Sequence, residues 1–153
     1  MNFGFFVLTL LFTFLAVVNT SPADIFNKFI QCHKDDLGPI YPIEVTMSPN
    51  PPAVGENVFT ISGNFSFSFE NIMFNIALKN SEDNAQYQYL CQDVEGCTST
   101  NDSFKLPIKF ILSDQDVISK AYSINVIVSR LNPYQTLGCV NAFMVKRVPP
   151  PLF

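Results

Sequence analysis

The chain has 153 residues and a formal net charge of −4, from 13 acidic and 9 basic side chains. This length suits one domain. An acidic chain has no electrostatic footprint for nucleic acid. It also lacks the basic patch that holds a protein on anionic lipid by charge alone. We therefore expect neither nucleic-acid binding nor adsorption to a membrane through charge.

The first segment of the chain is strongly apolar. Residues 2–19 carry no charged side chain, and residues 5–18 are almost wholly apolar. A helix of this length could nearly span a bilayer, so an uncleaved membrane anchor is one alternative. The residues at 21–23 fit the small-x-small cleavage pattern, which favours a signal peptide and a mature chain beginning near Ser21 or Asp24. We expect a signal peptide at 1–23, one domain at 24–148 and an irregular tail at 149–153.

Period-two alternation of apolar and polar side chains dominates the remainder, and it is typical of half-buried β-strands. Phe59 and Ile61, for example, alternate with Thr60 and Ser62. Pro107 interrupts a similar run and cannot donate a ladder hydrogen bond, so its strand should lie at a sheet edge or carry a bulge. We predict about seven strands, at residues 41–47, 58–69, 72–78, 87–91, 104–112, 122–129 and 140–145.

Turn signals separate these runs. Three prolines lie within residues 48–52 after the first strand, residues 80–84 form a polar hairpin loop, and residues 132–134 form a turn before the last strand. No helix longer than a turn or two is clear, and residues 21–31 are the best candidate. Many short strands at regular spacing indicate an all-β sandwich or barrel.

The mature part contains all four cysteines of the chain, Cys32, Cys91, Cys97 and Cys139. In an oxidising compartment they predict two disulfides, with three possible pairings. A bridge from Cys91 to Cys97 would pin a short polar loop, and Cys32 and Cys139 would then join the two ends of the domain. A zinc site is the alternative, but the C-x5-C spacing with a single histidine does not match the usual ligand pattern.

Other chemical signals are weak. The single histidine, His33, lies beside Cys32, and no nucleophile-elbow motif is present. A solvent-exposed loop histidine is a better interpretation than a catalytic one. The sequons at Asn64 and Asn101 are candidate glycosylation sites. We therefore predict no catalytic residue, no metal site and no cofactor.

Several motifs, in their order and spacing, resemble the ML (MD-2-related lipid-recognition) family. They are Cys32, the stretch Ser-Pro-Asn-Pro-Pro-x-x-Gly at 48–55, the pair Cys91 and Cys97 followed by Leu-Pro-Ile at 106–108, and a last strand opening at Cys139. The resemblance covers most of residues 26–146. Within the family, these motifs are similar to those of the phosphatidylglycerol/phosphatidylinositol transfer and Niemann-Pick type C2 branches. It implies the bridges Cys32–Cys139 and Cys91–Cys97. It also implies an immunoglobulin-like β-sandwich of about seven strands with an apolar cavity between the sheets.

The resemblance also implies which side chains line that cavity. Phe67 and Phe69, which lie where a strand passes into a turn, are expected to flank its mouth. The expected lipid-binding residues are Phe59, Ile61, Phe74, Ile76, Pro107, Ile108, Tyr122, Ile124, Val126, Val128, Val140, Ala142 and Met144.

The expected function follows from this resemblance. We expect a monomer, secreted or in the endolysosomal lumen, that binds a phospholipid or sterol between its sheets and transfers it between membranes through transient contacts. Two alternatives stay open: a lipid-recognition module that docks on a receptor, and a solid-core immunoglobulin-like adhesion domain. The chain has no tryptophan, which argues against the adhesion domain because a true immunoglobulin core contains one.

Overall fold

Antiparallel strands form most of the computed structural model, which describes residues 25–26, 28–33, 41–64, 71–97, 103–113 and 115–145. A five-residue helix, α1 (Gln115–Ser119), and a 3-10 turn at Cys91–Asp93 accompany them in the described residues. The strands are β1 (Ile25–Phe26), β2 (Ile30–Gln31), β3 (Ile43–Ser48), β4 (Gly55–Asn64), β5 (Ile72–Lys79), β6 (Asn84–Leu90), β7 (Ser103–Leu112), β8 (Tyr122–Leu131) and β9 (Tyr134–Val145).

The strands form two sheets that face each other. The large sheet has the order β1-β9-β8-β5-β6, and β2 also pairs with β9. The small sheet has the order β3-β4-β7. The predicted all-β sandwich is therefore confirmed, and so is the prediction that the strand with Pro107 lies at a sheet edge.

Alternating side chains explain why the sheets stack. In β5 the burial pattern alternates strictly, with Ile72, Phe74, Ile76 and Leu78 buried. The same alternation runs through β7 and the first part of β8. Because successive side chains point to opposite faces of a strand, each sheet has one apolar face, and the two apolar faces form a common core.

The structure corrects the sequence interpretation near both ends of the domain. The helix suggested for residues 21–31 is wrong at the residues described there, since β1 and β2 pair with β9, where Ile25 is opposite Val145 and Ile30 opposite Asn141. The strand β9 begins at Tyr134, six residues before the predicted start at 140. A register shift of the β8–β9 ladder between Val128 and Ser129 interrupts the alternation in this part of β9, which explains why the pattern missed it.

The turn at residues 80–83 joins β5 to β6, as predicted. The Oδ1 atom of Asn80 accepts hydrogen bonds from the backbone N–H groups of Glu82 and Asp83, both at 2.7 Å. The Asn80 Nδ2 atom donates to the carbonyl oxygen of Val117 at 3.2 Å. One buried amide therefore fixes the hairpin and ties it to α1, which the sequence did not predict.

Candidate functional site

The predicted lining residues come together between the two sheets, with one exception. Phe59, Ile61 and Ile108 come from the small sheet and face residues of the large sheet. Their contact with a lipid stays a prediction. The predicted lining residues from the large sheet are all buried, namely Phe74, Ile76, Tyr122, Ile124, Val126, Val128, Val140, Ala142 and Met144.

Pro107 is the exception. Its side chain is exposed, whereas those of its neighbours Leu106 and Ile108 are buried. Adjacent residues of a strand point to opposite faces, so Pro107 and Ile108 cannot both face the space between the sheets. Pro107 therefore does not lie on the inner face of β7, and its contact with a lipid stays a prediction.

The structure adds inward-facing residues that the prediction left out. Leu106, Phe110 and Leu112 belong to the same parity of β7 as Ile108, and all of them are buried. Leu78 completes the inner face of β5. The same period-two alternation that identified their neighbours could have identified these residues.

Aromatic rings cross the interior from one edge of the sandwich to the other. The ring of Phe29 lies edge-on to Phe59 at 6.4 Å between centroids, and Phe59 lies 5.3 Å from Phe110. Phe110 lies 4.4 Å from Tyr87, in the large sheet. The inner faces therefore touch through their rings, and a ligand between the sheets has to displace them.

One edge of the sandwich is closed by covalent and backbone links. The bridge between Cys32 and Cys139 is present, with a Cα–Cα distance of 5.4 Å. The Cys32 N–H donates to the Cys139 carbonyl oxygen at 3.0 Å. Nearby, the Nε2 atom of Gln31 donates to the carbonyl oxygen of Ile43 at 2.7 Å. This edge, between β9 with its short partners and β3, is here called the closed edge.

The opposite edge has a different construction. Here β6 ends the large sheet and β7 ends the small one. The hydroxyl of Tyr87 donates to the carbonyl oxygen of Ile111 at 3.2 Å, and the hydroxyl of Tyr89 donates to that of Lys109 at 3.1 Å. Burial, and to a lesser extent the neighbouring Tyr87, raises the pKa of Tyr89 above its ordinary value. We call this edge the tyrosine seam.

A surface pocket of about 230 Å³ lies at the Tyr89 end of the tyrosine seam. The second predicted bridge, Cys91–Cys97, is present beside it and closes the loop that carries three of the lining residues. The pocket is lined by Tyr89, Asp93, Val94, Glu95, Pro107, Ile108 and Lys109. Val94 and Ile108 are buried core residues, so the pocket connects solvent with the edge of the core.

Charged groups stay outside the core. The fully buried polar residues in the described ranges are uncharged, namely Asn57, Asn80, Ser129 and Thr136. Within those same ranges, no three His, Cys, Asp or Glu side chains are grouped closely enough to hold a metal ion. His33 is exposed. Among the described residues, the side chains that form the core are therefore uncharged.

The remaining predicted sites lie at the surface or outside the described residues. Asn64 is exposed at the end of β4, as a glycosylation acceptor must be. Asn101, Phe67 and Phe69 lie outside the described residues. None of the helices in the described part of the chain has the length and apolarity needed to cross a bilayer.

Comparisons with known proteins give structural likenesses but no sequence match. No protein-family model matches the chain, and no curated protein sequence matches it. The crystal structure of chicken MD-1 complexed with lipid IVa is similar in fold, with a TM-score of 0.52 and 8% sequence identity. The likeness covers 78% of this chain and 88% of the MD-1 chain. The protein is therefore an all-β sandwich with the fold of chicken MD-1.

Proposed function

We propose that the protein binds a lipid, a phospholipid or a sterol, between its two sheets and transfers it between membranes. The observation that carries the proposal is the apolar interior, which extends between the sheets to an edge where the hydroxyls of Tyr87 and Tyr89 link the sheets. The likeness to chicken MD-1, whose crystal structure contains lipid IVa, supports the same reading.

The energetics favour such a ligand. Each methylene group moved from water into an apolar space contributes about 0.8 kcal/mol. An acyl chain of about sixteen carbons therefore contributes on the order of 10 kcal/mol before the costs of ordering and of displacing side chains. Inner-face residues such as Ile124 and Val126, which are 0% exposed, offer no charge to oppose it.

The ring contacts define what binding requires. In the structure, Phe59, Phe110 and Tyr87 meet across the interior. A lipid therefore enters only if the sheets separate or the rings turn. Unbranched aromatic and methionine side chains such as Phe110 and Met144 adapt to such a change more readily than a rigid backbone.

The two disulfides support a location of the protein outside the cytosol. The bridges Cys32–Cys139 and Cys91–Cys97 persist in oxidising compartments. We propose that the protein acts after secretion or in the endolysosomal lumen.

The same ring contacts favour a second candidate, the solid-core adhesion domain. If Phe59 and Phe110 fill the interior permanently, no lipid is accommodated. The two candidates differ in one property, namely whether the folded protein removes lipid from a bilayer.

The experiment is extraction of lipid from vesicles. Phosphatidylcholine vesicles with a trace of a fluorescent phospholipid are mixed with the protein, separated by sedimentation, and the soluble fluorescence is measured. A parallel set carries a fluorescent sterol. The proposal expects about one lipid per protein with at least one probe. Native mass spectra of the purified protein should show the same stoichiometry for a copurified lipid, and extraction of neither probe would favour the solid core.

A further inference from the structure

The two edges of the sandwich differ in what holds them. At the closed edge, the Cys32–Cys139 bridge secures the segment before β3 to β9. The Tyr41 N–H also donates to the Leu137 carbonyl oxygen at 2.6 Å there. Among the described residues of the tyrosine seam, hydrogen bonds from two side-chain hydroxyls and the ring contact of Tyr87 with Phe110 link the sheets. These links are noncovalent, so they can be released without breaking a covalent bond.

The tyrosine seam has a regular construction. The Tyr87 hydroxyl bonds to Ile111 and the Tyr89 hydroxyl bonds to Lys109. Residue numbers therefore increase by two along β6 where they decrease by two along β7. The strands therefore run antiparallel along the seam, as paired strands do. They are separated by the length of a tyrosine side chain, and they do not share a backbone ladder.

The position of the hydroxyls explains why they hold the seam without sealing it permanently. The carbonyl groups of Lys109 and Ile111 lie on an edge strand, where backbone groups otherwise meet water. When Tyr87 or Tyr89 releases them, water satisfies both partners, so opening leaves no buried polar group unpaired. The backbone links at the closed edge do not have this property, because Leu137 and Cys139 are buried.

A path to the core already exists at one end of the tyrosine seam. The pocket beside Tyr89 has Val94 and Ile108 among its lining residues, and both are buried. At the other hydroxyl, the ring of Tyr87 rests on Phe110, 4.4 Å away. A movement of these two tyrosines therefore uncovers the apolar interior directly.

We propose that the hydroxyls of Tyr87 and Tyr89 latch the tyrosine seam shut, and that their release sets the rate at which a lipid passes between the sheets along this edge. This inference rests on the proposed lipid-binding function. It adds the residues that control the rate of exchange.

The test is the double substitution Tyr87→Phe with Tyr89→Phe. Phenylalanine keeps the rings and their contacts and removes the two donors. The control is Tyr134→Phe, which removes the hydroxyl of an exposed tyrosine at the start of β9. Fluorescent phospholipid uptake from phosphatidylcholine vesicles, and its return to acceptor vesicles, are followed in time. We expect both rates to rise about tenfold in the double variant, since two hydrogen bonds of ordinary strength are lost. The control should match wild type.

A measurement without lipid separates failure of the latch from failure of the proposed function. Amide hydrogen exchange of the lipid-free proteins should be faster in β6 and β7 of the double variant and unchanged in β3 and β9. Unchanged exchange in β6 and β7 would overturn the latch, and so would lipid rates equal to those of a wild type that does take up lipid. If wild type takes up no lipid but exchange rises in β6 and β7, the latch stands and the lipid function fails.

Discussion

Ile43 in β3 lies directly against the backbone of Gly138 in β9, so that a Cβ atom added to Gly138 would lie 2.6 Å from Cγ2 of Ile43. The two strands belong to different sheets. The small sheet therefore approaches the large one at a residue without a side chain, and this contact reinforces the closed edge.

This contact predicts that Gly138→Ala destabilises the protein. Ile43 is 1% exposed and its Cγ2 atom is attached to a branched Cβ, so the methyl group has to displace buried atoms. We expect a loss of about 1–3 kcal/mol in the free energy of unfolding, measured by urea denaturation. In the double variant with Ile43→Ala, the cost of Gly138→Ala should shrink. Strictly additive losses would show that the two residues do not restrict each other.

The two disulfides should differ in their contribution to stability. Cys32–Cys139 closes a separation of 107 residues and Cys91–Cys97 one of 6. In the chain-entropy model, their removal costs about 5 and about 2 kcal/mol, respectively. Urea denaturation of the paired Cys→Ser variants of each bridge measures the difference. An equal or reversed order would mean that native-state contacts, and not loop length, set their contributions.

The strands were the part of this structure that the sequence described well, for a physical reason. A strand with one face in the core must alternate apolar and polar side chains, and residues such as Phe74, Ile76, Ile124 and Val126 show that alternation directly. Strands of two residues are too short to show it. Ile25–Phe26 and Ile30–Gln31 form strands by pairing with β9. Because two residues cannot show a period-two pattern, the sequence favours a short helix there instead.

The edges could not be predicted from the sequence. Alternation assigns Tyr87 and Tyr89 to one face of a strand, but their partners, Ile111 and Lys109, belong to the other sheet. A contact of this kind depends on how far apart the sheets lie, which no local pattern encodes. The resemblance to a lipid-binding family supplied the disulfide pairing, and it named Pro107 as a lipid-binding residue although its side chain lies on the outer face of β7.

The raised pKa of Tyr89 predicts how the tyrosine seam responds to pH. Burial is the main cause, followed by Tyr87, while Lys109, Asp93 and Glu95 are the charged groups around the same pocket. A pKa above the ordinary value of about 10 means that the folded state holds the proton more tightly than the unfolded state does. The stabilisation is therefore fully present below pH of about 10 and is lost as the pH rises through the raised pKa.

Ultraviolet difference absorbance of tyrosinate, compared between wild type and Tyr89→Phe, measures this pKa. The wild-type signal that disappears in Tyr89→Phe should titrate above pH of about 10. The difference in unfolding free energy between the two proteins should be constant at lower pH and fall above that value. Titration of Tyr89 below its ordinary range would contradict the burial of its hydroxyl at the tyrosine seam.

The most direct test of the central claim, a lipid held between the sheets, compares one substitution on two faces of the large sheet. Ala142 is buried on the inner face, whereas Ala77 is half-buried on the outer face of β5. Ala142→Phe fills the space between the sheets without adding charge, at a cost of about 1–3 kcal/mol in stability. Ala77→Phe adds the same ring on the side away from the core.

Both folded variants are mixed with phosphatidylcholine vesicles that carry the fluorescent phospholipid or sterol, and the soluble lipid per protein is measured. We expect Ala77→Phe to extract as much lipid as wild type and Ala142→Phe to lose most of the extraction while staying folded by circular dichroism. Equal extraction by folded Ala142→Phe and wild type would show that the lipid does not lie between the sheets.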